Sequence, residues 1–319
     1  MNPLSAIFGA GVSLRNALYD YCVFQVKRLV RPVVSIGNIS VGGTGKTPFV
    51  IALGELLKQR GIEFDVLSRG YGRSSTGIEV VDPHGSPAQF GDEPLLIARK
   101  LRAPVIVGAD RYKAGLLAEK NFSSKLHLLD DGFQHRRLHR DFDIVLLPTE
   151  DQRGSLLPTG RLREPITALN RADAVVLTDF QEQAVAAKST WRARRIVELP
   201  AGVGKAIAFS GIARPRQFIE GLKSSRMEIA GTITFRDHHR YEQSDIDRLL
   251  ALKKQTSADS FITTEKDLVN MGTLSSQLSP LHTAQLRIEF ESPEQVLREL
   301  LKTIEQRSPA DSGSGMRKS

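Results

Sequence analysis

The sequence predicts an α/β fold. A parallel sheet covered by helices is followed by a second, smaller α/β domain and preceded by an amphipathic helix. Three observations carry this. Between residue 31 and about residue 180, short apolar runs rich in β-branched residues alternate with helical stretches, as a parallel sheet covered on both faces requires. The first run leads through a glycine-rich loop into a helix. At 319 residues the chain has room for two domains, and the alternation resumes after an arginine-rich segment at 191–200.

Composition narrows the class. With 25% charged and 40% hydrophobic residues, 26 Gly and 15 Pro, the chain is neither wholesale disordered, collagen-like nor a multi-span membrane protein. Cys22 is the only cysteine, which excludes an internal disulfide or a cysteine-built zinc site and suggests a reducing, cytoplasmic setting. The 44 basic against 36 acidic residues leave a net charge of +8. That surplus admits nucleic acid, an anionic membrane surface or a phosphorylated substrate as partner.

Residues 1–14 are uncharged, but Arg15, Asp20, Lys27, Arg28 and Arg31 interrupt the stretch after them. No run reaches the ~20 apolar residues of a spanning helix, and no secretory signal is expected. Leu4, Ile7, Phe8, Leu14, Leu18 and Cys22 recur at helical spacing, so 1–30 reads as a helix. It would lie in a membrane interface or pack on the body of the protein.

The core is expected over 31–190. Pro32 to Ile36 is a strand, followed by Ser40, Val41, Gly42, Gly43, Thr44, Gly45, Lys46 and Thr47. In such a loop backbone amides curl around β- and γ-phosphates, the lysine neutralises them, and the Thr47 hydroxyl ligates Mg²⁺. Ser40 replaces the usual first glycine of this P-loop. The run 126–129 ends in Asp130 and Asp131, one of which would face the metal and the other the neighbouring loop. Further strands are expected at 105–107, 144–147 and 174–177. Asp92 opens a helical run to about Leu101, either as its cap or as a base beside the phosphate loop.

Beyond the linking segment 191–200, read as part of a hairpin, the smaller domain spans 201–306. It has strands at 206–212, 261–264 and 285–290 and helices from Pro215 to Leu222, from Ser244 to about Lys254, and from a capping box at Ser292 to about Gln306. The polar tail 307–319 reads as disordered.

Asp130-Asp131-Gly132 places its glycine one position too early for a GTPase, and Thr264-Glu-Lys-Asp267 does not match the guanine-reading pattern. The early second lysine of partition-type ATPases is Val41 here. A kinase needs a carboxylate base near the loop, which Asp92 supplies.

Eight segments, in order, carry a family resemblance: 37–48 around the phosphate loop, Ser-Arg-Gly-Tyr-Gly-Arg (68–73), Gly-Asp-Glu-Pro (91–94), Asp-Arg-Tyr-Lys-Ala-Gly (110–115), Asp-Asp-Gly-Phe-Gln-His (130–135), Leu-Pro-Thr-Gly-Arg-Leu-Arg-Glu-Pro (157–165), Phe-Arg-Asp-His-His-Arg-Tyr (235–241) and Thr-Thr-Glu-Lys-Asp (263–267). With them the chain closely resembles the tetraacyldisaccharide 4'-kinases of lipid A biosynthesis.

The resemblance implies ATP and Mg²⁺ as cofactors. It implies the 4'-hydroxyl of an acylated glucosamine disaccharide 1-phosphate as acceptor, and a monotopic enzyme on the cytoplasmic face of the bacterial inner membrane. It makes Asp92 the base, with His238 or His239 beside it and His238 preferred, and Tyr71, Arg111, His135 and Glu164 contacts to substrate or nucleotide. If His238 acts on Asp92, the site spans both domains.

With a lipid substrate implied, the interfacial placement of the first helix is preferred. Its segment carries Arg15, Lys27, Arg28 and Arg31 against Asp20, a surplus suited to anionic headgroups. Nucleic acid is then not needed, and no obligate protein partner is evident. The rival reading is a P-loop ATPase that drives a partner without phosphorylating a substrate.

Overall fold

The computed structural model describes residues 2–178 and 187–307. The first half runs α1 (Pro3–Asp20), β1 (Val33–Asn38), α2 (Lys46–Gln59), β2 (Phe64–Ser68), β3 (Glu79–Val80), α3 (Pro87–Phe90), α4 (Asp92–Leu101), β4 (Val105–Val107), α5 (Arg111–Asn121), β5 (Leu126–Asp130), β6 (Phe142–Leu147) and β7 (Ala174–Leu177). Then come β8 (Ser189–Glu198), β9 (Ala206–Ser210), α6 (Pro215–Ser224), β10 (Ile229–Thr234), α7 (Gln243–Thr256), β11 (Ser260–Thr264), α8 (Glu265–Met271), β12 (Leu281–Phe290) and α9 (Pro293–Arg307).

The described strands form one sheet ordered β10-β9-β11-β12-β8-β7-β6-β1-β5-β2-β4-β3. Every pairing is parallel except β3 with β4 and β8 with β12. Strand residues divide between the two faces by parity. Val34, Ile36, Val66, Leu128, Ile144 and Val176 join one core with α2, α4 and α9. Leu67 and Leu129 face α5, and Val145 and Val175 face the segment before β7. In β1, β2 and β4 to β7 both faces are buried, which explains the continuous apolar runs, whereas β8 and β12 alternate buried with exposed residues.

Several expectations need correction. The first helix ends at Asp20 rather than near 30, because Cys22 turns the chain at φ 58°. The linking segment is no hairpin: β8 is a full strand whose antiparallel partner is the distant β12, with Phe290 opposite Ala193. The helix expected from Ser244 opens at Gln243, behind a capping box of Glu242 with Asp245. The last helix, assigned to the smaller domain, packs Val296, Leu297, Leu300 and Ile304 into the first core. Its Arg307 binds Asp173 at 2.8 and 2.9 Å. Of the tail, Arg307 closes α9 and the remainder lies outside the described residues.

At the sheet end away from the phosphate loop, fully buried His127 of β5 meets Asp65 of β2 at 2.8 and 2.9 Å and Glu119 of α5 at 3.4 Å. Burial works against the charged ring, but the two carboxylates prevail and raise its pKa above the ordinary 6.5. The resulting stability is fully present below the unfolded pKa and is lost as pH rises through the folded one. His127→Gln is therefore expected to cost about 3 kcal/mol at pH 6 by leaving Asp65 buried without its cation. In urea unfolding the gap to the parent should narrow at pH 9, and a constant gap would refute an imidazolium at this position.

Candidate active site

The phosphate loop leaves β1 at Asn38 and enters α2 through Gly45, whose φ of +88° is a left-handed conformation that glycine adopts without strain. Among the described residues no side chain caps α2, so its first amides remain for an anion. Lys46 Nζ lies 3.4 Å from both Asn38 Oδ1 and Asp131 Oδ1. Asn38 donates to Thr44 Oγ1 at 2.9 Å, and Ser40 donates to Asp151 Oδ2 at 2.5 Å. The Ser40 side chain thus braces the loop from outside.

The two adjacent aspartates have different surroundings. Asp131 stands past the end of β5 at φ 50° and accepts from Arg163 at 3.0 and 3.3 Å. Burial would raise its pKa, but Lys46 and Arg163 hold it far below the usual carboxylate range. Asp130 ends β5, is buried, and accepts from Ser68 Oγ at 3.0 Å through Oδ2. Its Oδ1 is buried with no hydrogen-bond partner among the described residues. Burial, with Glu93 and Asp131 nearby, raises its pKa. A buried, unpaired carboxylate oxygen beside a phosphate loop fits a divalent cation. Thr47, one residue inside α2, fits the same ion. Among the described residues no group of three His, Cys, Asp or Glu could hold a metal ion.

Asp92 begins α4 after Gly91, whose φ is +90° and where a Cβ would come within 3.0 Å of the Tyr71 carbonyl oxygen. Glycine there lets the turn press against the loop that carries Tyr71. The carboxylate is buried and receives Glu93 N at 2.9 Å. His238 Nδ1 lies 2.9 and 3.1 Å from its two oxygens, and Asn270 Nδ2 donates at 3.1 Å. Lys266 Nζ stands 3.7 Å away. Burial pushes the Asp92 pKa up, but His238, Lys266 and Asn270 outweigh it and bring the value down to about 2. His238 is raised in turn, chiefly by Asp92 working against burial. His239 does not take part: it meets Asp245 at 2.8 Å and stacks on Phe235.

The loop, Asp130, Asp131, Asp92 and His238 line one cleft of about 810 Å³ between the two halves of the sheet. Sequence reasoning missed Arg163, Glu93, Lys266 and Asn270. Arg163 and Lys266 lie inside segments that carry the family resemblance, so the sequence marks their positions though not their contacts. Asn270 leaves no signal of its own, although Thr264 with Asp267 three residues on is a helix-start signal for α8.

Residues 1–305 match the family described as tetraacyldisaccharide-1-P 4'-kinase. The chain belongs to that family. It is similar to a tetraacyldisaccharide 4'-kinase of Koribacter versatilis, 50% identical over 320 residues that cover 96% of this chain and 99% of that protein. One from Aquifex aeolicus is 39% identical over 290 residues, 84% of this chain and 88% of that one. Among solved structures, the Aquifex aeolicus LpxK crystallised in complex with ATP matches with a TM-score of 0.78 at 33% identity. That match covers 95% of this chain and 98% of the other.

The remaining residues that the family pattern singles out lie in two places. Tyr71 is on the cleft wall, its ring centroid 5.0 Å from that of His238. Arg111, His135, Glu164 and His239 are not on the wall. Arg111 is buried, with Nη1 donating to the Ala109 carbonyl at 2.9 Å and Nε unpartnered. Burial and the Arg111 and Arg140 charges pull the His135 pKa down to about 4, which leaves a neutral ring near pH 7.

Glu164 accepts from Gln134 at 3.0 Å, Asn16 at 2.9 Å and Arg171 at 2.8 Å. Gln134 also donates to the Asn38 carbonyl at 2.8 Å, and Arg15 donates to the Gln134 carbonyl at 2.7 Å. Glu164 therefore ties α1 to the strand that feeds the phosphate loop.

Of the two placements considered for the first helix, packing on the body is the one the structure displays. α1 docks on the body through Ser5, Gly9, Arg15, Asn16 and Tyr19. Leu4, Ile7 and Leu14 are left at least 60% exposed, as is Val23 just beyond the helix. Three of the cations counted there are engaged by the protein itself: Arg15 donates to the Gln134 carbonyl, Arg28 pairs with Asp141 at 2.7 Å and Lys27 lies over the Tyr112 ring. No helix among the described residues is long and apolar enough to cross a membrane.

Proposed function

We propose that the chain performs its family's reaction, ATP-dependent phosphorylation of the 4'-hydroxyl of the lipid A disaccharide precursor, with Asp92 as the base. The observation that supports this most is the buried Asp92 carboxylate in the same cleft as the phosphate loop, held ionised by His238. Lys46 and the α2 amides bind the β- and γ-phosphates, and Asp92 takes the proton of the acceptor hydroxyl as it attacks in line. Mg²⁺ at Thr47 and Asp130 would neutralise charge on the phosphates. Asp131 then serves to position Lys46 and Arg163 rather than to ligate.

On the acceptor side, Arg111 and neutral His135 stand behind the wall of this cleft, and they contact a polar or anionic group of the disaccharide where the acceptor opens the wall over the buried Arg111. γ-Labelled ATP incubated with and without the acylated disaccharide 1-phosphate tests the reaction. Label recovered in the lipid supports it. Label released only as inorganic phosphate in both incubations would establish the ATPase reading instead.

The site for that acceptor lies at a membrane surface, where α1 inserts its apolar face while Glu164 and Gln134 hold the helix to the core. This makes the enzyme monotopic on the cytoplasmic face of the inner membrane. Replacing Leu4, Ile7 and Leu14 together by Ser is expected to lower co-sedimentation with anionic phospholipid vesicles by about tenfold or more. Unchanged co-sedimentation would reject α1 as the contact.

A further inference from the structure

Lys266 is a partly buried ammonium on the cleft wall, with no part in the phosphoryl-transfer steps assigned to Lys46 and Asp92. It sits on the first turn of α8, and Asn270, four residues on, lies on the same face against Asp92. Its Nζ is 3.1 Å from Glu93, 3.5 Å from Asp237 and 3.7 Å from Asp92. It is also 3.3 Å from Nε2 of His238. An ammonium has donors only, so as a hydrogen bond this contact makes Nε2 the accepting nitrogen of a neutral ring, with Asp237 Oδ2 facing the same nitrogen from 3.8 Å. The proton of His238 is then on Nδ1, the nitrogen that faces Asp92.

We infer that Lys266 is a positioning residue for phosphoryl transfer: it fixes His238 in the tautomer that donates from Nδ1 to Asp92, and with Asn270 it orients the carboxylate toward the acceptor. The inference rests on the reading of Asp92 as base. A second proton on His238 would place an N–H against the ammonium at hydrogen-bond distance, so Lys266 opposes imidazolium formation while Asp92 and Asp237 favour it. Glu93 faces Lys266 from α4 and anchors it rather than touching the ring. The tautomer is thus set from one half of the sheet and read by a carboxylate on the other.

Two readouts test this on the full-length enzyme. In Lys266→Met the imidazole NMR titration of His238, assigned by its loss in His238→Gln, is expected to move to higher pH. At the same time kcat falls about tenfold or more and KM for ATP stays within about twofold. Lys266→Arg, which keeps the charge, should return the titration to its parental position and recover part of kcat. A folded Lys266→Met protein with an unmoved His238 titration would overturn the inference. So would a large rise in KM for ATP at unchanged kcat, which would make Lys266 a phosphate contact. Near-normal turnover in Asp92→Asn would instead defeat the base assignment, so the two failures are distinguishable.

Discussion

Asp92→Asn is expected to lower kcat by about 10²–10⁴-fold, the range a positioned general base contributes, while changing ATP affinity by no more than about twofold. The amide is isosteric, and Asp92 touches His238, Asn270 and the Glu93 amide rather than the phosphate loop. Binding and chemistry therefore separate at this residue. Because the carboxylate is held near pKa 2, it is ionised across the physiological range, and any fall in rate between pH 6 and 8 must come from another group. Single-turnover measurement of phosphate transfer to the lipid acceptor, beside a separate ATP-binding titration, checks both halves. Comparable turnover in parent and variant would remove Asp92 as the base.

Lys46→Ala is expected to damage both quantities, with kcat down by about 10²–10³-fold and ATP bound roughly tenfold more weakly. Lys46 stands between Asn38 and Asp131, so its loss removes a phosphate contact and leaves Asp131 with Arg163 as its remaining cation contact. The same binding titration and kinetic assay separate the two variants. An ATP affinity equal to the parent's in Lys46→Ala would place the nucleotide phosphates elsewhere.

The central strand, the loop, the paired aspartates and the opening of α4 are legible in the sequence because each depends on local signals: a β-branched run, glycines at fixed offsets, acids at a strand end. The features that are not legible depend on partners far along the chain. β2 escapes notice because Asp65 interrupts its apolar run, and only the pairing with His127 makes a carboxylate tolerable there. The capping box of α9 is a local signal and can be read, but the core that accepts its apolar face is set by tertiary packing. β8 looks like a strand, yet nothing nearby in sequence announces β12 as its partner. In the candidate site, the family pattern leaves His238 and His239 both open, with His238 preferred, and the geometry with Asp92 separates the two. Glu164 falls on a family motif as a site residue, but it is bonded to α1 rather than exposed to the cleft.

The antiparallel pairing of β8 with β12 also bears on how the gene can be cut. The chain departs for the smaller half along one strand and comes home along its neighbour, with Glu198 and Gln285 side by side at the far end. Everything between is topologically a single excursion from an otherwise continuous P-loop protein. A short turn joining those two positions would excise it and keep β1, α2 and α9 in sequence. The deletion would carry away His238, Lys266 and Asn270, and leave Asp92 and the phosphate loop behind. The phosphate loop with Asp92, and the three side chains that hold the Asp92 carboxylate, are thus encoded in separable stretches of DNA, one nested inside the other.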